Sequence, residues 1–151
     1  MRLGLMVVNG LVLTAVACMG LMGPGEQHAT AVLGPDRELA KDLAALEQDA
    51  VRDPSVPATA ALANAYLAHE QPGLASAVIA KAPVAVRETP EIAHIYARTL
   101  FHRGHAREAL AVAERASDAC ESGCPGWLVA ATSRQVSFLG EVVSEIGRAH
   151  V

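Results

Sequence analysis

Residues 62–82 read LANAYLAHEQPGLASAVIAKA and residues 96–116 read YARTLFHRGHAREALAVAERA, two stretches that begin 34 residues apart. Laid over one another, they put Ala63 on Ala97, Ala75 on Ala109, Ala77 on Ala111, Val78 on Val112 and Ala82 on Ala116. Leu62 meets Tyr96, Tyr66 meets Leu100, Leu67 meets Phe101 and Lys81 meets Arg115. Small residues fall on small ones and bulky on bulky. Packed helix pairs need this pattern, because small side chains let two helices touch where they cross and large ones fill the gap to the next pair.

Turn signals on either side divide the chain into helices. Pro35-Asp36 opens one whose apolar residues Leu39, Leu43 and Leu46 recur three to four apart, and it stops before Asp53-Pro54. Pro57 and Thr59 start the next, which runs to about His69. Gln71-Pro72-Gly73 is a turn, and a helix from about Leu74 to Ala82 ends at Pro83. Thr89-Pro90-Glu91 has the form of an N-cap, a first-turn proline and an acid favoured by the helix dipole. That helix reaches His102, Gly104 breaks it, and another runs from His105 to about Ala119. No segment alternates as a strand would, so the fold class expected is all-α.

These positions resemble the tetratricopeptide-repeat family. Its pattern places a bulky residue beside a small one, then a Tyr, then a small residue in the second helix and another seven later. Leu62-Ala63, Tyr66, Ala75 and Ala82 match it in the first copy. Tyr96-Ala97, Ala109 and Ala116 match in the second, where Leu100 replaces the Tyr and Gly104 supplies the inter-helix Gly; the first copy has Glu70 there. The resemblance implies a short helical solenoid of antiparallel helix pairs over 36–151, with repeats at about 56–89 and 90–123 and caps at 36–52 and 126–149. A third copy starts with Trp127, 34 past Ala93 in a slot where the family often has Trp, and with Ala131 after Ala97. Arg134 then fills an apolar slot and Phe138 a Gly slot. Residues from Gly126 on therefore read as a capping helix or degenerate repeat, and the leading helix as the other cap.

Composition fits this architecture. Hydrophobic residues make up 52% of the chain and aromatics only 3%, so the core must be built from Ala, Val and Leu. The net charge of -4 without blocks of like charge argues against a nucleic-acid surface. The six histidines are scattered, and none pairs with Ser and Asp as a catalytic set. No phosphate-binding Gly loop follows a strand. The expectation is a protein that is not an enzyme, with no cofactor, metal or evident small-molecule substrate.

Residues Leu3 to Met22 carry no charge, follow a single Arg2, and are long enough to span a bilayer. Residues 1–22 read as a signal peptide or N-terminal membrane anchor, and 23–35, rich in Gly and Pro, as a linker. Ala15-Val16-Ala17 offers small residues before a cleavage site, and Cys18 sits where lipidation would occur in a bacterial lipoprotein signal, which the segment resembles. Departures are Ala15, where that family prefers Leu, and the apolar Met19-Gly20-Leu21-Met22. Anchor, lipoprotein and cleaved signal stay open. Cleavage or lipidation places the helical domain outside the cytoplasm, and an uncleaved anchor does so if Arg2 stays on the cytoplasmic side, so the expectation is a membrane-anchored, periplasmic or secreted domain.

Cys120 and Cys124 flank a loop containing Ser122-Gly123, and setting Cys18 aside leaves them as an even pair. A disulfide, free thiols, a redox pair and half a zinc site are the alternatives. For zinc, His102 and His105 lie at the far end of the preceding helix, roughly 15–20 Å away.

In the tetratricopeptide family the first helix of each pair lines a concave groove that holds peptides. On that resemblance the partner-binding positions are Ala60, Asn64 and Leu67 in the first copy and His94, Arg98 and Phe101 in the second. The function expected is a non-catalytic module that binds a protein or peptide partner, with the membrane engaged through the N-terminal segment. The alternatives are a structural spacer or assembly subunit that uses its outer helix faces, and a thiol-redox accessory protein.

Overall fold

The computed structural model describes residues 35–120 and 123–149. Among them lie seven helices: α1 Pro35–Arg52, α2 Val56–Ala68, α3 Pro72–Lys81, α4 Val84–Arg87, α5 Pro90–His102, α6 Ala106–Cys120 and α7 Gly126–Ala149. The fold is all-helical. The chain divides between Glu38 and Leu39 into two units, and the core belongs to the second, Leu39–Val151. The run from Leu3 to Met22, with Cys18, lies outside the described residues. No helix among the described residues is long and apolar enough to cross a membrane.

The turn after α2 and the turn after α5 share three backbone bonds at a spacing of 34 residues. His69 N–H donates to Ala65 O, Glu70 N–H to Leu67 O and Gln71 N–H to Tyr66 O. The counterparts are Arg103 to Thr99, Gly104 to Phe101 and His105 to Leu100. These bonds satisfy carbonyls that the helix end leaves open. The geometry requires a residue with positive φ, which Gly104 supplies at 82° and Glu70 at 56°. The match extends to the helix starts, where Thr59 N–H bonds Ser55 O as Ala93 N–H bonds Thr89 O, each at 3.0 Å.

Packing follows the same period. Ala63, Ala75, Ala97 and Ala109 are all fully buried, so the helices meet where only a methyl group fits. Larger side chains fill the spaces between: Leu62, Tyr66, Ile79 and Ile92 in one cluster, and Leu100, Val112 and Leu139 in the other. Leu43, Leu46 and Ala50 of α1 pack against the first cluster. The Tyr66 hydroxyl also donates to Glu47 Oε1 on α1, and this bond, with burial, holds the phenol above its usual pKa.

Three details depart from the sequence reading. The segment after Pro83 forms the extra turn α4, anchored by buried Val86. Thr89 sits at the start of α5, yet its hydroxyl turns back to bond Val86 O at 2.8 Å instead of capping that helix. The third copy does not keep register. A strict period from Pro90 would start α7 at Cys124, but the Cys120–Cys124 link occupies that stretch and the helix begins at Gly126. Trp127 is consequently 59% exposed, not in a core slot, and Thr132 and Leu128 take the buried positions.

Candidate functional site

The six positions expected to bind a partner lie on α2 and α5, and packing separates them into three kinds. Ala60 and Leu67 are each only 6% exposed and belong to the first core cluster, so they support the face from beneath. Arg98 is exposed, and Asn64 beside it is half-buried. His94 and Phe101, also half-buried, meet α7.

Each of the surface positions is part of a cross-helix pair. Arg98 Nη1 donates to Asn64 Oδ1 at 2.9 Å, joining α5 to α2 at equivalent positions of the two copies. The other N–H groups of Arg98 and the amide N–H groups of Asn64 make no hydrogen bond among the described residues. Such a pair is chemically a donor array, suited to a carboxylate or a peptide carbonyl. Phe101 meets Phe138 of α7 edge to face, with ring centroids 5.3 Å apart and Phe138 still half-exposed.

His94 makes the third pair, with Gln135 of α7. Gln135 Nε2 donates to the His94 backbone carbonyl at 3.3 Å. His94 Nδ1 and Gln135 Oε1 are both buried with no hydrogen-bond partner among the described residues. Burial lowers the His94 pKa by disfavouring the imidazolium; the Gln135 side chain opposes this, and the Arg98 charge adds to it. The imidazole is therefore neutral near pH 7, and the cation on this face is Arg98.

No family model, curated protein or solved structure matches this chain. The face rests on its own geometry.

Gln135 and Phe138 complete the face from α7; the sequence reading places neither on it and takes Phe138 only as the occupant of a Gly slot. Their signal is weak: a polar and an aromatic residue three apart in a helix whose register had slipped. Cys120, the buried last residue of α6, is disulfide-bonded to Cys124, with Cα atoms 4.9 Å apart. No group of three or more His, Cys, Asp and Glu that could hold a metal occurs among the described residues.

Proposed function

We propose that this chain is a tetratricopeptide-like interaction module that holds a peptide or partner segment on the face of α2 and α5. The Asn64–Arg98 hydrogen bond carries the reading. It fixes a guanidinium that would otherwise be a mobile surface side chain, and it leaves donors of both groups available. Fixing a binding group in advance lowers the entropy lost on association. The half-exposed Phe138, packed on Phe101, gives an apolar neighbour for a side chain of the bound segment.

The same reading places the domain outside the cytoplasm, exported or tethered by residues 1–22. The Cys120–Cys124 disulfide supports this, because such bonds persist in oxidising compartments. The spacer reading also has an observation in its favour. Trp127 and Ile146 are exposed along α7, the last described helix, where an assembly partner would stack.

A panel of peptides with free or amidated C termini, and with acidic or neutral side chains, tests the proposal. The full-length protein should retain peptides bearing a free carboxylate, and Arg98→Glu should lose them by reversing the charge they meet. Equal retention by the parent and Arg98→Glu would move function to the outer faces.

A further inference from the structure

The second helix of the first pair stops early, and a recess opens beside it. Pro83 stands 34 residues before Ser117, which lies inside the unbroken fifteen-residue α6. A proline there lacks the N–H that would continue the helix, and its ring clashes with the preceding turn. α3 accordingly ends at Lys81 after ten residues, and Ala82 and Pro83 run extended, with ψ of 150° and 148°. The chain re-coils as α4, displaced from the line of α3. Between α3, α4, α5 and α6 this leaves a recess of about 570 Å³, within the range of roughly 300–1,000 Å³ that small-molecule sites occupy.

Val84, Tyr96 of α5 and the buried Ile79 and Val112 supply its apolar lining. Three charged residues also line it: Arg87 from α4, Arg115 from α6 and Glu88. Arg115 uses Nε on the Ala111 carbonyl of its own helix, 3.3 Å away, and its terminal nitrogens make no hydrogen bond among the described residues. Neither arginine forms a salt bridge among the described residues. The lining thus carries one net positive charge over an apolar interior, and Glu88 opposes a second negative charge on any occupant.

We propose that this recess binds a small amphipathic organic acid: a single carboxylate held by Arg87 and Arg115, with an alkyl or aryl body against Val84, Tyr96 and the edges of Ile79 and Val112. Guanidinium groups match a carboxylate in geometry as well as charge, and the apolar walls discriminate against acids that have no body to bury. The site is separate from the Asn64–Arg98 face.

Calorimetric titration of the full-length protein in lipid discs, with empty discs as the blank, tests this with hexanoate, acetate and 1-hexanol as probes. Hexanoate should bind saturably at one site, and acetate and 1-hexanol at least about tenfold more weakly. Arg87→Gln and Arg115→Gln should each weaken hexanoate by about tenfold. Ala119→Leu, which fills the recess from an exposed position that lines it, should abolish binding with an unchanged melting temperature. Arg98→Glu should bind hexanoate like the parent. The proposal is overturned if hexanoate gives no saturable heat, if 1-hexanol binds as well as hexanoate, or if Arg87→Gln and Arg115→Gln both bind like the parent.

Discussion

Asn64 and Arg98 occupy the same place on α2 and α5, the first helices of successive copies of a 34-residue period, and their side chains are hydrogen-bonded to each other at 2.9 Å. The bond is a direct product of the repeat, since only helices set side by side in register bring equivalent positions together. It lies at the surface, where a hydrogen bond contributes roughly 0.5–1.5 kcal/mol at most. Its effect is on direction more than on stability: one edge of the guanidinium is committed, and the rest is held in place.

If the period governs packing, the fully buried alanines are its most sensitive positions. Ala75→Leu and Ala109→Leu should each destabilise by roughly 1–3 kcal/mol, because a close helix crossing cannot admit three more carbons without moving backbone. Ala77→Leu and Ala111→Leu, exposed positions one turn-face away, should stay within about 0.5 kcal/mol. Chemical denaturation of the four variants separates the sets, and equal losses in both would argue against the register.

Glu70 and Gly104 share one backbone role, but only Gly104 adopts positive φ without strain. Glu70→Gly should therefore stabilise the protein by about 1 kcal/mol, and Gly104→Ala should destabilise it by a similar amount. Space does not limit either change, since a Cβ on Gly104 would meet nothing within 4 Å. Thermal melts of the two variants should move in opposite directions. A loss of stability in Glu70→Gly would show that the two turns are not equivalent in solution.

The His94 pKa is lowered on folding from the ordinary value of 6.5. The unfolded chain then binds the proton more readily than the folded one, so His94 costs no stability above about pH 6.5 and destabilises as the pH falls below it. Unfolding free energy should drop between pH 7.5 and pH 5, and less steeply in His94→Gln. The remaining histidines within α5 and the turn after it, His102 and His105, are exposed. Parallel pH profiles for parent and variant would remove His94 as the cause.

The Cys120–Cys124 link closes a very short loop, for which chain entropy assigns roughly 2 kcal/mol. Cys124→Ser should lower stability by about that amount. In the parent, alkylation before reduction should modify neither cysteine, and intact mass should register both only after reductant. Alkylation of both Cys120 and Cys124 in the unreduced protein, counted apart from Cys18, would show them free.

Much of the helical pattern is legible in the residues themselves. Pro35, Pro57 and Pro90 mark starts, and Gly104 marks a break, because proline and glycine act locally on the backbone; Pro72 reads as part of a turn, yet α3 begins there. The paired alanines are legible because a helix crossing tolerates little else. Where tertiary contacts decide, the sequence is silent. Val84–Arg87 coils into α4 because Val86 finds a buried site, which nothing in its neighbours announces. Ala60 and Leu67 look like groove positions by register, yet they join a core cluster that α1 helps to cover with Leu43 and Leu46. The slip of α7 follows from the disulfide loop, so Gln135, 34 past Phe101, meets His94 instead, and Phe138, 34 past Gly104, meets Phe101.

The central claim is that a partner lies across the Asn64–Arg98 pair, and site-specific photo-cross-linking in the native envelope tests it most directly. A photoreactive residue at Ala61 or Ala68, exposed positions one turn to either side of Asn64 on α2, leaves the pair intact. Both positions should yield the same discrete adduct, and Arg98→Glu should abolish it, while the probe at exposed Ala111 on α6 should yield none. An adduct at Ala68 that survives Arg98→Glu, or adducts from Ala111 alone, would contradict the account.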